Sequence, residues 1–227
     1  MPFGLYNAPA TFQRLIDKIL WPFINKFVVV YLDDITIYSK TFNEHCEHLQ
    51  AVFNKLQEAN LKLNIEKCFF FLNELKFLGH IIGKDRIKPD DEKIEKVKNF
   101  SIPTNIRQIR GFLGLASYYR KFIKEFSRIA KPLNLLLQKD QPYYWGDKQE
   151  KAFQTLKNHL ITAPILQYPN FKQPFYVHTD ASQSGLGAVL AQLDENKKEH
   201  AIVYASRSLN KAEQNYSATE LECLAVI

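Results

Sequence analysis

The chain has little cysteine and no long apolar run. Its three cysteines, Cys46, Cys68 and Cys223, form no CxxC pair. Such a sparse, odd set argues against a disulfide framework and indicates a reducing compartment. No apolar run approaches the roughly 18 residues of a membrane span, and no basic and then apolar N-terminal pattern indicates a signal peptide. We therefore expect an intracellular protein without a membrane partner.

Positive charge is abundant but unevenly distributed. The net charge is +6, and residues 104–139 alone contain eight basic residues and one acid. Apolar residues in this segment recur at helical spacing, which predicts amphipathic helices with a basic outer face. Such a face is typical of nucleic-acid binding. The basic residues that we expect to contact nucleic acid are Arg107, Arg110, Arg120, Lys121 and Lys124.

Two glycines interrupt the first of these helices. Gly111 and Gly114 each lower helix stability by about 1 kcal/mol relative to alanine, so something must approach closely there. One interpretation is a nucleic-acid backbone, with Tyr118 and Tyr119 stacking on bases or contacting sugars. The alternative is close packing of two helices at the glycines, with a basic face that is only solvated.

A pair of adjacent acids, Asp33 and Asp34, lies between two short runs with strand composition, residues 27–30 and 35–38. Two neighbouring carboxylates repel each other, and cations would neutralise them. The pattern predicts a β-hairpin whose turn lies at or beside the acids, where both can converge on metal. Carboxylates of this kind hold Mg²⁺ while leaving positions for substrate phosphates, and two such ions support nucleotidyl transfer. The alternative is a polar turn that only faces water.

Several longer motifs accompany the acid pair in a fixed order along the chain. They are Met1-Pro2-Phe3-Gly4-Leu5-Tyr6-Asn7-Ala8-Pro9, Phe12-Gln13-Arg14, Tyr31-Leu32-Asp33-Asp34, Phe77-Leu78-Gly79-His80, Gly111-Phe112-Leu113-Gly114-Leu115, Tyr118-Tyr119-Arg120 and His178-Thr179-Asp180-Ala181-Ser182. Together these motifs resemble the reverse transcriptase of gypsy-type LTR retrotransposons, which are relatives of retroviral polymerases. The resemblance covers essentially the whole chain.

The resemblance implies an α+β fold with three parts. These are a partial polymerase palm over residues 1–86, a helical thumb or connection region over 87–164, and an RNase H-like α/β domain over 165–227, after a proline-spaced linker. It also implies an RNA-directed DNA polymerase with RNase H activity that uses Mg²⁺ or Mn²⁺. The implied partners are RNA and DNA template-primers, RNA-DNA hybrid, dNTP and the rest of a Pol polyprotein, in the cytoplasm or a virus-like particle.

The resemblance also implies roles for single residues. Asp33 and Asp34 would be catalytic metal ligands, and Lys67 would protonate the departing pyrophosphate unless it is an ordinary surface lysine. Residues implied to contact substrate are Tyr31, Phe3, Gly4, Gln13, Phe77, Leu78 and Gly79, of which the last three belong to a hairpin that positions the primer end.

The last part of the chain reads as three strands followed by a helix. Asp180 matches the first metal-binding aspartate of the RNase H family, the alternative being an exposed acid at a strand end. The final helix opens with Ser217 and Glu220 at capping-box spacing, which gives Glu220 a structural role. The resemblance places the family's second metal-binding acid at Glu222, which is followed by Cys223-Leu224-Ala225-Val226, so we predict Glu222 and not Glu220 as the second catalytic metal ligand.

Parts of the family pattern are absent from this sequence. We expect the strand with the polymerase's third metal-binding aspartate and the later RNase H acids to be missing, so that the chain is an inactive fragment by itself. A second function remains open, that of a non-catalytic nucleic-acid-binding remnant of a retrotransposon.

Overall fold

The structure is a computed structural model that describes residues 6–84, 86–139 and 141–227. The chain divides into two compact units, Met1–Leu72 and Asn73–Ile227. Helices and antiparallel sheet occur in both units, which confirms the α+β class. Across these ranges no helix has the length and apolar character needed to cross a membrane.

The first unit is built from two helices and one hairpin. An apolar core of Ile16, Leu20, Val28, Val52 and Leu56 joins all of them. The elements are α1 (Ala8–Leu20), β1 (Val28–Tyr31), β2 (Asp34–Ile37) and α2 (Phe42–Glu58).

Local sequence explains where these elements begin and end. Pro9 lies in the first turn of α1, where a missing N–H costs nothing. Thr41 and Glu44 form a capping box at the start of α2. The composition of residues 61–71 predicts an extended segment after α2, but no strand forms there. Instead Asn64 caps a 3-10 turn, Ile65–Lys67, because its side chain accepts a hydrogen bond from the backbone of Glu66.

The second unit begins with a small sheet and a set of helices. Residues from α3 to α6 form its main core, in which Ile109, Phe112, Leu133, Phe153 and Leu156 are fully buried. The elements are β3 (Leu75–Phe77), β4 (His80–Ile82), β5 (Arg86–Pro89), α3 (Asp91–Lys98), α4 (Ile106–Tyr118), α5 (Phe126–Leu135) and α6 (Asp147–Ile161).

A second sheet of three antiparallel strands, followed by a helix, completes the unit. Helix α7 contacts β7 and β8, and a small core of Leu186, Leu209 and Leu221 is buried there. Ala201 and Tyr204 of β9 pack against the main core. The order of strands and helix agrees with the prediction. The elements are β7 (Tyr176–Ser182), β8 (Gly185–Leu193), β9 (Glu199–Arg207) and α7 (Ala218–Val226).

The segment with three prolines, residues 164–174, is docked onto both sheets. Its strand β6 (Leu166–Gln167) pairs with β5, which completes a sheet of order β3-β4-β5-β6. Further along, the buried amide of Gln192 donates to the carbonyl of Asn170 at 2.8 Å and accepts from the Asn170 N–H at 2.8 Å. The same amide contacts the carbonyls of Gln173 and Pro174. The proline-spaced segment that was expected to be a linker therefore pairs with one sheet and contacts the other, and the division into three domains remains a prediction.

Candidate active sites and nucleic-acid interface

The acid pair lies at the turn of the β1-β2 hairpin, as predicted. Tyr31 pairs with Asp34 across the ladder, so Leu32 and Asp33 form a two-residue turn. Both carboxylates are exposed. Leu32 adopts a left-handed backbone with φ of 51°. For a residue with a Cβ this conformation costs about 1–2 kcal/mol.

A glutamine from α1 supports this turn. The Leu32 N–H donates to the side-chain oxygen of Gln13. The Gln13 amide nitrogen in turn donates to Asp17 Oδ1 at 2.7 Å, which fixes the orientation of the amide. Gln13 therefore contacts the backbone that carries the acids. Its predicted contact with substrate remains a prediction.

The structure says less about the other predicted site residues of this unit. Lys67 ends the 3-10 turn, and its side chain is exposed. Phe3 and Gly4 lie outside the residues that the structure describes.

The predicted primer-end hairpin is the β3-β4 hairpin of the second unit. Phe77 pairs with His80, and Leu78 and Gly79 form its turn with φ of 46° and 68°. Two positive φ values are typical of a type I′ turn, which matches the twist of the strands. Phe77 is half-buried and Leu78 is exposed at the tip.

His80 lies in the packed base of this turn. Its Nδ1 is 2.8 Å from the Leu78 carbonyl, which can only accept, so Nδ1 carries the proton. The buried Nε2 has no hydrogen-bond partner in the described ranges. Burial, opposed in part by the Leu78 contact, lowers the pKa of His80 below its ordinary value of 6.5. The ring is therefore neutral and packs against Tyr118, Tyr119 and Phe122.

This lowered pKa makes the second unit less stable in mild acid. The folded chain disfavours protonated His80, so the unfolded chain binds more protons once the pH falls below about 6.5. We expect the unfolding free energy of the wild type to approach that of a His80→Phe variant between pH 7.5 and 5.5. Urea titrations followed by Trp145 fluorescence, in a Trp21→Phe background, measure this. A difference between the wild type and His80→Phe that stays constant over this pH range would contradict the assignment.

Helix α4 presents the predicted basic face. Arg107 and Arg110 are exposed, and so are Gly111 and Gly114. A Cβ added at either glycine would meet no atom of the described chain within 4 Å. No other helix in the described ranges packs closely at these glycines, so that alternative is wrong for this part of the chain. The bare surface lies beside two exposed guanidinium groups, and its contact with nucleic acid remains a prediction.

The remaining basic residues differ in exposure. Arg120 and Lys124 are exposed, whereas Lys121 is half-buried with its Nζ 5.3 Å from the centre of the Phe122 ring. Burial lowers the pKa of Lys121. Tyr119 is fully buried, so the expectation that it stacks on bases or contacts sugars is wrong. Tyr118 is 51% exposed.

The predicted RNase H acids lie on neighbouring elements. Asp180 is exposed on β7 opposite Gly187, and Glu222 is exposed on α7. The capping box is confirmed, because Glu220 accepts hydrogen bonds from the backbone and hydroxyl of Ser217, both at 2.8 Å. These bonds lower the pKa of Glu220. Residues two apart on a helix project about 200° apart, so Glu220 and Glu222 leave α7 on different sides.

No group of three or more potential ligands among His, Cys, Asp and Glu is assembled in the part of the chain that is described. Sequence reasoning also missed two sets of contacts that position these sites. One is the bonding of Gln192, for which the only hint was a single amide inside an apolar strand. The other is a pair of tyrosine hydroxyls at the β3-β4 turn, which no local sequence pattern indicates.

Comparison with known proteins agrees with this architecture. A family model described as reverse transcriptase (RNA-dependent DNA polymerase) matches residues 1–82, and one described as an RNase H-like domain found in reverse transcriptase matches residues 145–227. These families generally use divalent metals. The fold and the two matches define a retroelement polymerase segment, in which a reverse transcriptase domain precedes an RNase H-like domain.

Sequence similarity to individual proteins identifies the family more specifically. The chain is 48% identical to the retrovirus-related Pol polyprotein from transposon 297 and 41% identical to that from transposon gypsy, both of Drosophila melanogaster. All of this chain is covered, but only 21% and 23% of those proteins. The chain therefore spans about a fifth of these relatives. It belongs to the reverse transcriptase and RNase H region of gypsy-type retrotransposon Pol polyproteins, which confirms the family expected from the motifs.

Solved structures show the same fold. The foamy viral protease-reverse transcriptase in complex with dsDNA is 26% identical, with a TM-score of 0.83 over 97% of this chain and 46% of that chain. The same protein in complex with RNA/DNA hybrid is 25% identical, with a TM-score of 0.81 over 100% of this chain and 30% of that chain.

Proposed function

We propose that this chain supplies the polymerase and RNase H sites of a Pol polyprotein. It would copy RNA or DNA template-primers with dNTP and hydrolyse RNA in RNA-DNA hybrids, inside the cell in the cytoplasm or a virus-like particle. The observation that carries the proposal is the exposed acid pair on a tight hairpin turn supported by Gln13. Primer-extension assays on variants of Asp33 test it, with template binding as the control.

The donor set at the turn fits a hard divalent cation. Asp33 and Asp34 provide carboxylate oxygens, the ligands that Mg²⁺ and Mn²⁺ take while keeping positions for phosphate oxygens. Such ions, when bound, activate the attacking hydroxyl and stabilise the leaving oxygen in phosphoryl transfer. Asp180 and Glu222 would hold the ions of the second site in the same way.

The chain's own residues would orient the substrate around these ions. Tyr31 lies across the ladder from Asp34, where its half-exposed ring can contact the incoming nucleotide. Leu78 and Gly79 would support the end of the primer, and Phe77 anchors that turn. The exposed ammonium of Lys67 would supply the proton for the departing pyrophosphate.

The exposed face of α4 would hold the nucleic acid. Each phosphate contact contributes a slope of about 0.9 in log affinity against log salt for duplex DNA. Replacing Arg107 and Arg110 together by alanine is expected to lower the magnitude of that slope by up to about 1.8. Fluorescence anisotropy with a labelled duplex over a salt series measures the change.

A matched variant distinguishes the effect of the α4 face from the effect of removing any two positive charges. Lys93 and Lys96 are exposed on α3, outside the basic segment, and replacing both by alanine removes the same charge. That control is expected to leave the slope near the wild-type value. Equal slopes for all three proteins would show that the face of α4 is only solvated.

A non-catalytic nucleic-acid-binding role is the second candidate. The exposed glycines beside Arg107 and Arg110 favour it, because that surface requires no metal. Duplex binding that survives in a protein without polymerase or nuclease activity would support this candidate over the first.

A further inference from the structure

Two tyrosines at the C-terminal end of α4 hold the β3-β4 turn. The Tyr118 hydroxyl donates to the Leu78 carbonyl, and the Tyr119 hydroxyl donates to the Gly79 carbonyl at 2.6 Å. The backbone N–H of Asp90 also donates to the Gly79 carbonyl, at 3.1 Å. Both carbonyls at the tip of the turn are therefore bound from outside the hairpin. We call Tyr118 and Tyr119 the tyrosine clamp.

The turn needs such support because its backbone is unusual. Leu78 has a Cβ and still adopts a left-handed conformation. Gly79 is also left-handed, and a Cβ there would lie 3.3 Å from both Tyr118 Cε1 and the Tyr119 hydroxyl oxygen. A side chain at residue 79 would therefore crowd both tyrosine rings.

The hydrogen bond from Tyr119 does not depend on pH in the physiological range. Tyr119 is fully buried, and burial raises the pKa of its hydroxyl to about 12. The hydroxyl therefore keeps its proton and donates throughout the physiological pH range. Neutral His80 packs beneath both rings and contributes no charge to the site.

The clamp also lies at the end of the bare, basic surface of α4. Arg107, Gly111, Gly114 and Tyr118 follow one another at separations of four, three and four residues, so they share one face of the helix. This exposed stripe is about 17 Å long, and it ends at the hydroxyl that binds Leu78.

We propose that Tyr118 and Tyr119 are positioning residues that fix the β3-β4 turn relative to the exposed stripe of α4. A duplex bound along the stripe would then present a recessed 3′ end of its primer strand at Leu78 and Gly79. The proposal rests on the proposed function, since it assumes that α4 binds nucleic acid. In this proposal the tyrosines position the turn that receives the primer 3′ end, and they do not contact the reacting atoms.

Removing only the hydroxyls tests the clamp. The variants are Tyr118→Phe and Tyr119→Phe, and the control is Tyr144→Phe, an exposed tyrosine whose hydroxyl has no hydrogen bond within the described ranges. The probes are a primer-template with a recessed 3′ end and a blunt duplex of equal length, both measured by fluorescence anisotropy. We expect the clamp variants to lose about two- to tenfold in preference for the recessed end, as one lost hydrogen bond allows. Because Tyr119 is buried and lies off the exposed stripe, Tyr119→Phe should keep its affinity for the blunt duplex, and the control should keep its affinity for both probes.

Hydrogen exchange of the unliganded protein separates the possible failures. Amides of residues 77–82, in the β3-β4 hairpin, are expected to exchange faster in both clamp variants, and unchanged exchange would overturn the clamp itself. Faster exchange with an unchanged preference for the recessed end would overturn the positioning role. A wild type that binds duplex without such a preference would do the same. A wild type that binds neither probe would refute the proposed nucleic-acid interface, which is a failure of the proposed function.

Discussion

Primer extension by a Pol polyprotein that carries this segment is expected to fall by at least about 10³-fold when Asp33 is replaced by asparagine. The side chains have nearly the same shape, but the amide has no charge to hold a divalent cation. Metal stabilisation of the transition state contributes several kcal/mol, and each 1.36 kcal/mol is a factor of ten in rate. Single-turnover extension on an RNA template measures the loss.

Two controls accompany this experiment. Template binding should be largely retained by Asp33→Asn, because the proposed nucleic-acid interface lies on α4. Glu47 is an exposed acid on α2, and Glu47→Gln makes the same kind of change away from the turn. It should extend primers at the wild-type rate. Primer extension at the wild-type rate by Asp33→Asn would contradict the assignment of Asp33 as a metal ligand.

The second large effect concerns hydrolysis of RNA in an RNA-DNA hybrid. Asp180→Asn and Glu222→Gln are each expected to reduce cleavage by about 10³-fold or more in a Pol polyprotein that carries this segment. Both variants should still polymerise, since the polymerase acids lie in the other unit. Cleavage of a labelled hybrid, measured beside primer extension, shows whether the two activities separate.

Glu220 provides the matched control for Glu222. Glutamine can replace glutamate in the capping box with Ser217, and complete loss of such a cap costs only about 1 kcal/mol. Glu220→Gln should therefore cleave hybrids at close to the wild-type rate. Because the two acids project from different sides of α7, only one of them can face a given metal site. Loss of cleavage in Glu220→Gln, with Glu222→Gln active, would assign the metal to the capping acid.

Local sequence patterns predicted most of the elements and the position of the acid turn. The hairpin at Asp33 and Asp34 follows from strand composition, and the α7 capping box follows from the spacing of Ser217 and Glu220. These features depend on interactions between residues near one another in sequence. The prediction of an extended segment over residues 61–71 was wrong because a strand also needs a pairing partner, and local sequence does not show whether such a partner exists.

Long-range contacts could not be predicted in this way. The bonds from Tyr118 and Tyr119 to the β3-β4 turn join residues 40 apart in sequence. Tyr119 looked like a ligand-binding residue, but its side chain is buried by tertiary packing that composition does not reveal. The docked proline segment is a similar case, since its strand β6 forms only because β5 offers a free edge.

The bonding of Gln192 determines where this protein can tolerate a change in length. Its amide meets the backbone of residues 170–174 at several fixed points, so an inserted residue there would displace those groups and leave a buried amide unpaired. An unpaired buried polar group costs about 1–3 kcal/mol. The turn between β8 and β9 is closed by Asp194 at the exposed end of the same sheet, where extra residues would only lengthen a loop. Natural variation in length among related elements should therefore occur at the charged turn and be rare in the proline segment.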